Sequence, residues 1–146
     1  MRAFLKRLIT PEPAPLDEAD ARLALAALLV RLARADNEYD MVEAAAITRI
    51  LMERFALDHM AAEDLRTEAE QIEAEAPDTV RFTRAIKAAV GYDDRLGIVE
   101  AMWAVVLADG RRDADEDGLM RLVVNLLGVN DRDSALARQR VAARIP

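Results

Sequence analysis

The amino-acid sequence predicts an all-α protein. The chain is rich in alanine, leucine, arginine and glutamate, which are all good helix formers. No stretch shows the two-residue alternation of apolar and polar side chains that marks a half-buried strand. Apolar residues recur instead at spacings of three and four, as on one face of a helix. We therefore expect one bundle-like domain of about seven helices.

Prolines and capping residues divide the chain. Three of the five prolines lie between Thr10 and Pro15, a run that disfavours helix and is expected to be an extended linker. This run predicts a division into residues 1–16, a short amphipathic segment plus linker, and residues 17–146, the helical domain. Aspartate or asparagine stands where most helices of the domain are expected to begin, and these side chains are strong N-caps. The predicted helices span about 17–35, 40–55, 58–75, 78–90, 93–109, 113–127 and 130–143.

Each helix of the domain has its own signal. The first, second, fourth and sixth helices carry apolar stripes, which are Leu25-Leu28-Leu29-Leu32, Ile47-Ile50-Leu51-Phe55, Val80-Phe82-Ile86 and Leu119-Leu122-Val123-Leu126. The third helix begins at Asp58 and ends before Pro77, and the fifth follows Gly91. Gly128 ends the sixth helix, and Asn130 or Asp131 starts the last.

Composition excludes several classes of site. The chain has no cysteine, which excludes disulfides, thiolate nucleophiles and zinc fingers, and it has one histidine, His59, and one serine, Ser134. A formal net charge of −7 makes nucleic-acid binding unfavourable. No stretch is long and apolar enough for a spanning helix, and the N-terminus does not have the pattern of a signal peptide. We expect a cytoplasmic location, with carboxylates as the abundant site chemistry.

An acidic motif occurs twice, with 73 residues between equivalent positions. Residues 35–43 and 108–116 share the pattern Ala-Asp-(Asn/Gly)-x-x-Asp-x-x-Glu. We call these segments the first and second acidic turns. Each follows an apolar helix and precedes another. The repeat predicts two helix–turn–helix halves related by a pseudo-two-fold axis.

Helix capping explains much of the motif. Asp40 and Asp113 fit N-caps, and Glu43 and Glu116, three residues later, complete a capping-box pattern. Asn37 and Gly110 are residues that tolerate left-handed backbone after a helix end. On this interpretation the turns are purely structural.

Capping does not explain Asp36 and Asp109. Both are expected at a helix C-terminus, where the helix dipole disfavours a carboxylate. One explanation is a compensating arginine, with Arg34, Arg111 and Arg112 nearby in sequence. The other is a hard cation such as Ca²⁺, Mg²⁺ or Mn²⁺. It would be held by oxygen ligands from each turn, namely Asp36, Glu38 and Asp40, and Asp109, Asp113 and Asp115.

The turns are not EF-hands. An EF-hand loop needs glycine at position 6 and a bidentate glutamate at position 12. Counted from Asp36, these positions hold Met41 and Ile47, and counted from Asp109 position 12 is Met120. A cation site here would be weak or built between the two halves.

The doubled motif, with Trp103 before its second copy, resembles the TerB-like family of tellurite-resistance proteins over roughly Leu23 to Val129. The resemblance implies a bacterial, cytoplasmic, all-helical domain with duplicated halves and an acidic surface. It also implies a role in tellurite and general stress resistance, with metal binding suspected and no established enzymatic activity. Asn37 departs from the glycine that the family favours. The family motif falls on Asp36, Asp40, Glu43, Asp109, Asp113 and Glu116, which are the predicted metal ligands.

Two further surfaces carry charge. The segment Glu63–Glu75 is acidic at helical spacing and is expected to be a solvated face, or a surface for a basic protein partner. The arginines of the C-terminal helix are expected to pair with the acidic body. At the N-terminus, the apolar residues Phe4, Leu5, Leu8 and Ile9 are expected to dock onto helices of this chain or a partner rather than onto a membrane.

The sequence therefore favours a non-enzymatic stress-resistance module that binds a divalent cation or a protein partner through its acidic turns. The alternatives are a purely structural or adaptor domain without metal, and an enzyme that uses paired carboxylates. The enzyme is disfavoured because no nucleophile or cofactor-binding loop is present. The sequence leaves the oligomeric state open.

Overall fold

A computed structural model describes the backbone of residues 2–10, 16–36, 39–109 and 114–144, and side chains in the same ranges except at residues 2, 36, 109 and 114–117. The described residues form eight α-helices and one 3-10 turn, without a strand. The helices are α1 (Arg2–Leu8), α2 (Glu18–Ala33), α3 (Met41–Phe55), α4 (His59–Glu75), α5 (Thr79–Ala89), α6 (Tyr92–Asp109), α7 (Ala114–Leu126) and α8 (Asp131–Arg144), and the 3-10 turn is Arg34–Asp36. The all-α prediction is confirmed, and all seven predicted helices are present. The amphipathic N-terminal segment adds an eighth.

Aspartate caps start four of the eight described helices at positions that the sequence predicts. The side chains of Asp17, Asp40, Asp58 and Asp78 each accept the backbone N–H three residues further on, at 2.8–3.0 Å. Asn130 caps α8 in the same way, at 2.7 Å from the N–H of Asp133. Gly128 follows α7 with a φ of +72°, a left-handed conformation that favours glycine.

Two helices form the centre of the molecule. All residues from Leu23 to Val30 in α2 are buried, so this helix is covered on every side and not only along the predicted leucine stripe. The corresponding helix of the second half, α6, contributes Ile98, Val99 and Met102 to the same core. The two helices pack against each other, and each packs most extensively on the third helix of its own half, α2 on α4 and α6 on α8.

The second helix of each half crosses to the other half. α3 packs on α6, and α7 packs on α2 and on the 3-10 turn. The order of helices repeats in the two halves, and the α2–α4 packing recurs as α6–α8 packing, but among the described residues the extensive α3–α4 contact has no counterpart of similar extent between α7 and α8. The pseudo-two-fold axis itself stays a prediction.

The N-terminal helix lies on the body. Phe4, Leu5 and Leu8 are buried, and α1 packs on α5. Ile9, the residue after α1, is 38% exposed, so the docking prediction is wrong at this position. Arg7 and Asp20 form an ion pair at 2.9 Å, which ties α1 to the start of α2. Among the described helices, none is long and apolar enough to cross a membrane.

The acidic segment Glu63–Glu75 is not uniformly solvated. Glu73 is buried, and its two carboxylate oxygens contact Arg31 at 3.1 Å and Arg34 at 2.5 Å. The expectation of a solvated face is therefore wrong at this position. The C-terminal arginines do pair with the body, since Glu100 contacts both Arg140 and Arg144.

Candidate functional site at the acidic turns

The first acidic turn joins the 3-10 turn to α3. The Oδ1 atom of Asp40 accepts the backbone N–H of Glu43 at 3.0 Å, so Asp40 is the N-cap that the sequence predicts. Asp40 is exposed and Glu43 is partly buried. These are the two predicted metal ligands whose side chains the structure describes.

The other four predicted ligands are described only in part. The 3-10 turn ends at Asp36 and α6 ends at Asp109, so both residues stand at helix ends as predicted. The side chains of both lie outside the described part of the chain, as does that of Glu116 in α7. Asp113 lies outside the described residues altogether.

Described residues of the two acidic turns line one groove. A groove of about 440 Å³ lies between the start of α3 and the end of α6. Its walls include Glu43 from the first turn and Ala108, the first residue of the second turn. The remaining lining residues are Ala33, Met41, Val42, Ala45, Ala46, Arg49 and Val105. Since α7 also packs on the 3-10 turn, both turns border the same region. We call this groove the turn groove.

The turn groove has an apolar rim that the sequence analysis did not identify. Met41 is 88% exposed and Val42 is 76% exposed, although both are large apolar side chains. They lie outside the apolar stripe of α3, which begins at Ile47. The sequence does carry a signal for this rim. It is a pair of apolar residues that follows a predicted N-cap but lies off the buried stripe.

An ionic cluster fastens the end of α2 behind the first turn. Arg31 donates from Nε to Glu73 at 3.1 Å and from Nη1 to the carbonyl of Pro77 at 2.7 Å. Arg34 donates to Glu73 at 2.5 Å, and its guanidinium lies 5.1 Å from the ring centroid of Tyr39. The described contacts of Arg34 are therefore made with α4 and Tyr39. The side chain of Asp36 lies outside the described residues, so compensation of Asp36 by Arg34 stays a prediction.

Tyr39, within the first acidic turn, connects this turn to α4. Its hydroxyl donates to Glu70 at 2.5 Å, and Glu70 also accepts from Arg66 at 2.9 Å. Burial and this hydrogen bond raise the pKa of Tyr39 to about 12, because both disfavour the phenolate. Burial alone would lower the pKa of Arg66, but the hydrogen bond with Tyr39 and the charge of Glu70 outweigh it and raise that pKa. The contacts of Tyr39 with α4 therefore hold the backbone just before Asp40 in place.

The described donors alone do not make a metal site. Within the described part of the chain, no group of three aspartate, glutamate or histidine side chains is placed to hold a metal ion. Asp40 and Glu43 supply carboxylate oxygens, the ligand type that hard cations prefer. The remaining predicted ligands belong to the residues whose side chains are not described, so the six-residue site stays a prediction.

The fold and the site together define an all-α domain with a repeated acidic motif, in which residues from both copies of the motif line one groove. Residues 22–139 match the family model described as tellurite resistance protein TerB. The chain therefore belongs to the TerB family, as its doubled motif indicated. Comparisons with curated proteins and with solved structures gave no match.

Proposed function

We propose that this TerB-family protein is a non-enzymatic stress-resistance module that binds a divalent cation where its two acidic turns meet. The observation that carries the proposal is the convergence of the turns. Glu43 and Ala108 are far apart in sequence but line one groove, and α7 packs against the 3-10 turn. This shared groove supports the proposal that ligands from the two halves act together.

The chemistry of the turns supports a hard cation. The predicted ligands are all carboxylates, which suit Ca²⁺, Mg²⁺ and Mn²⁺ better than softer metals. Asp36 and Asp109 stand at the ends of helical segments, where the backbone dipole is negative and a carboxylate is disfavoured unless a positive charge is near. A cation shared by the two turns would remove this penalty in both copies.

Thermal melts in chelator and then with each ion test the proposal. A cation that binds only the folded state stabilises it by RT ln(1 + [L]/Kd), about 2.7 kcal/mol at a hundredfold excess over Kd. We expect the wild type to gain melting temperature with at least one of the three ions. The double variant Asp36→Asn, Asp109→Asn should lose this gain.

A second double variant controls for net charge. Asp64→Asn with Glu68→Gln removes the same number of charges from exposed positions on α4 and should keep the full response. An ion-independent melting temperature in the wild type, with the Asp36 and Asp109 variant unchanged or more stable, would show that the turns are structural.

The rim of the turn groove favours a second candidate, a protein partner. Met41 and Val42 are adjacent, exposed apolar side chains beside carboxylates, and contiguous apolar exposure rimmed by polar residues is typical of contact surfaces. On this candidate, Met41→Ser with Val42→Ser abolishes partner binding but leaves the cation response unchanged. The exposed and distant Met60→Ser is the matched control. Loss of the cation response in the rim variant would mean that the substitutions disturb the turn itself.

A further inference from the structure

A second cleft, away from the acidic turns, opens between α6, α7 and α8. Its volume is about 340 Å³, within the range of small-molecule sites. The apolar walls are Trp103, Met120, Val124 and Ala135, and the polar lining residues are Arg121, Asp131, Ser134 and Arg138. We call it the Trp103 cleft.

Arg138 is incompletely satisfied in this cleft. Its guanidinium lies 5.6 Å from the ring centroid of Trp103. Its Nε atom is buried and has no hydrogen-bond partner among the described residues. The indole N–H of Trp103 does have a partner, since it donates to the hydroxyl of Ser134 at 3.0 Å. A buried donor without an acceptor is uncommon and requires an explanation.

The first half of the molecule shows which acceptors are missing. Residues of α7 and α8 correspond to those of α3 and α4 at a spacing of 72, which aligns the caps Asn130 and Asp58. At this spacing Arg138 corresponds to Arg66. Arg66 donates to Glu70 at 2.9 Å and to the hydroxyl of Thr48 at 2.9 Å.

In the second half both acceptors are replaced. The position four residues after Arg138 is Ala142 instead of a glutamate, and Met120 stands where Thr48 is in the first half. The arginine is therefore present in both halves, but its carboxylate partner is present only in the first. Met120 and Arg138 both line the Trp103 cleft, so the cleft borders the position of the lost hydroxyl acceptor.

The charge of the lining sets the charge of the ligand. Arg121 and Arg138 contribute two positive charges and Asp131 one negative charge, which leaves a local charge of +1 on an acidic protein. A guanidinium binds a carboxylate through two parallel N–H···O bonds. The walls of Trp103, Met120 and Val124 favour an apolar group on the same ligand.

We propose that the Trp103 cleft binds a small monocarboxylate that carries an apolar or aromatic group, with Arg138 as the anchor of the carboxylate. Ser134 holds the indole in place as the wall on which the apolar group lies. This site is separate from the turn groove and does not depend on cation binding there.

Trp103 is the single tryptophan, so its fluorescence reports on this cleft directly. We would titrate the full chain with 3-phenylpropionate, acetate, phosphate and chloride at constant ionic strength. We expect a saturable change with 3-phenylpropionate in the millimolar range or tighter, because the cleft is small and has one charged anchor. Acetate should bind more weakly, because it lacks the apolar group. An equal response to chloride, or none to 3-phenylpropionate, overturns the proposal, and tighter binding of phosphate overturns the assignment to a monocarboxylate.

Three variants test the role of Arg138. Arg138→Gln should weaken binding by about tenfold or more, as expected for loss of a charge-assisted hydrogen bond. Ala142→Glu places a carboxylate where Glu70 stands in the first half and should also weaken binding, by supplying Arg138 with an internal partner. Ala142 is exposed, so this variant keeps the fold. Arg132→Gln, an exposed arginine of α8 outside the cleft lining, should bind like the wild type.

Circular dichroism and a thermal melt of each variant confirm that it is folded. If folded Arg138→Gln and Ala142→Glu both bind 3-phenylpropionate like the wild type, Arg138 is not the anchor and the proposal is wrong. If Arg132→Gln loses binding as strongly as Arg138→Gln, the response reflects net charge and not a cleft, which also contradicts it.

Discussion

The two halves of the molecule share a helical framework but stabilise it with different polar contacts. In the first half, buried Glu73 lies between Arg31 and Arg34, and Glu70 lies between Tyr39 and Arg66. These contacts connect α2, α4 and the first acidic turn.

The second half has no equivalent of either cluster among its described residues. Its α6–α8 interface contains the Trp103–Ser134 hydrogen bond, and its ion pairs, from Glu100 to Arg140 and Arg144, involve exposed arginines. The duplicated backbone has thus kept its helix order while its interfaces have diverged. In the first half, salt bridges connect the helices of the interface. In the second half, the Nε atom of Arg138 has no hydrogen-bond partner among the described residues, and the Trp103 cleft lies beside it.

The strongest test of this difference removes the central carboxylate of each half. Glu73→Ala leaves two arginines near a buried site without their counter-charge, and we expect a loss of about 3–5 kcal/mol in the free energy of unfolding. Glu100→Ala should cost less than about 1 kcal/mol, because the side chains of Arg140 and Arg144 are 46% and 64% exposed. Urea denaturation measures both values.

Glu68→Ala is the control for the loss of a glutamate from α4, because Glu68 is exposed. It should change stability by no more than about 0.5 kcal/mol. Equal costs for Glu73→Ala and Glu100→Ala would mean that the ionic contacts of the two halves are equivalent, contrary to their difference in burial.

The second test addresses the contact that holds the α6–α8 interface. Ser134→Ala leaves the partly buried indole N–H of Trp103 without its acceptor, and we expect a loss of about 1–2 kcal/mol. A shift in the emission of Trp103 should accompany it. Thr67→Ala removes an exposed hydroxyl from the first half and is expected to be nearly neutral. A neutral Ser134→Ala, with unchanged emission, would show that this hydrogen bond does not stabilise the interface.

The sequence predicts the framework well because helices and caps are local features. Asp58 and Asp78 stand where the sequence predicts that helices begin, and the structure shows both accepting the expected N–H. Burial of Glu73 was not predictable in this way. Its partners Arg31 and Arg34 are about forty residues away and meet it only after α2 and α4 pack.

The candidate site was predictable to a similar degree. Asp40 as a cap follows from local sequence, and a site between the halves follows from the repeat. The exposed rim of Met41 and Val42 depends on how α3 lies against α6, which periodicity does not determine. The missing hydrogen-bond acceptors of Arg138 can be recognised only by comparing contacts at equivalent positions of the two halves.

The third test compares two equivalent caps, Asp58 in the first half and Asn130 in the second. Each accepts a backbone N–H three residues further on, so replacement by alanine should cost about 1 kcal/mol in each case. Asp58→Ala should cost a few tenths more at low salt, about the value of one charge at a helix N-terminus, and the excess should vanish at high salt. An excess that persists at high salt would contradict the electrostatic explanation.

The last test concerns pH and the cluster around Tyr39. The pKa of Tyr39 is raised to about 12 by burial and by its hydrogen bond to Glu70, from about 10 in the unfolded chain. A raised pKa favours the protonated form in the folded state, so this contribution to stability is complete below pH 10 and is lost as the pH rises towards 12. Since Tyr39 is only partly buried, we expect a loss of about 1 kcal/mol over this range, below the full value of the shift. Tyr39→Phe cannot lose a proton and should remove this part of the pH dependence, as measured by urea denaturation at pH 9 and pH 11.

The pKa of Tyr92 in the second half is also raised, chiefly by its hydrogen bond to Asp133, but Tyr92 lies at the surface. Tyr92→Phe is therefore the matched control and should leave the slope between these two pH values nearly unchanged. A slope that disappears in Tyr92→Phe and persists in Tyr39→Phe would place the coupling between ionisation and folding in the second half instead of the first.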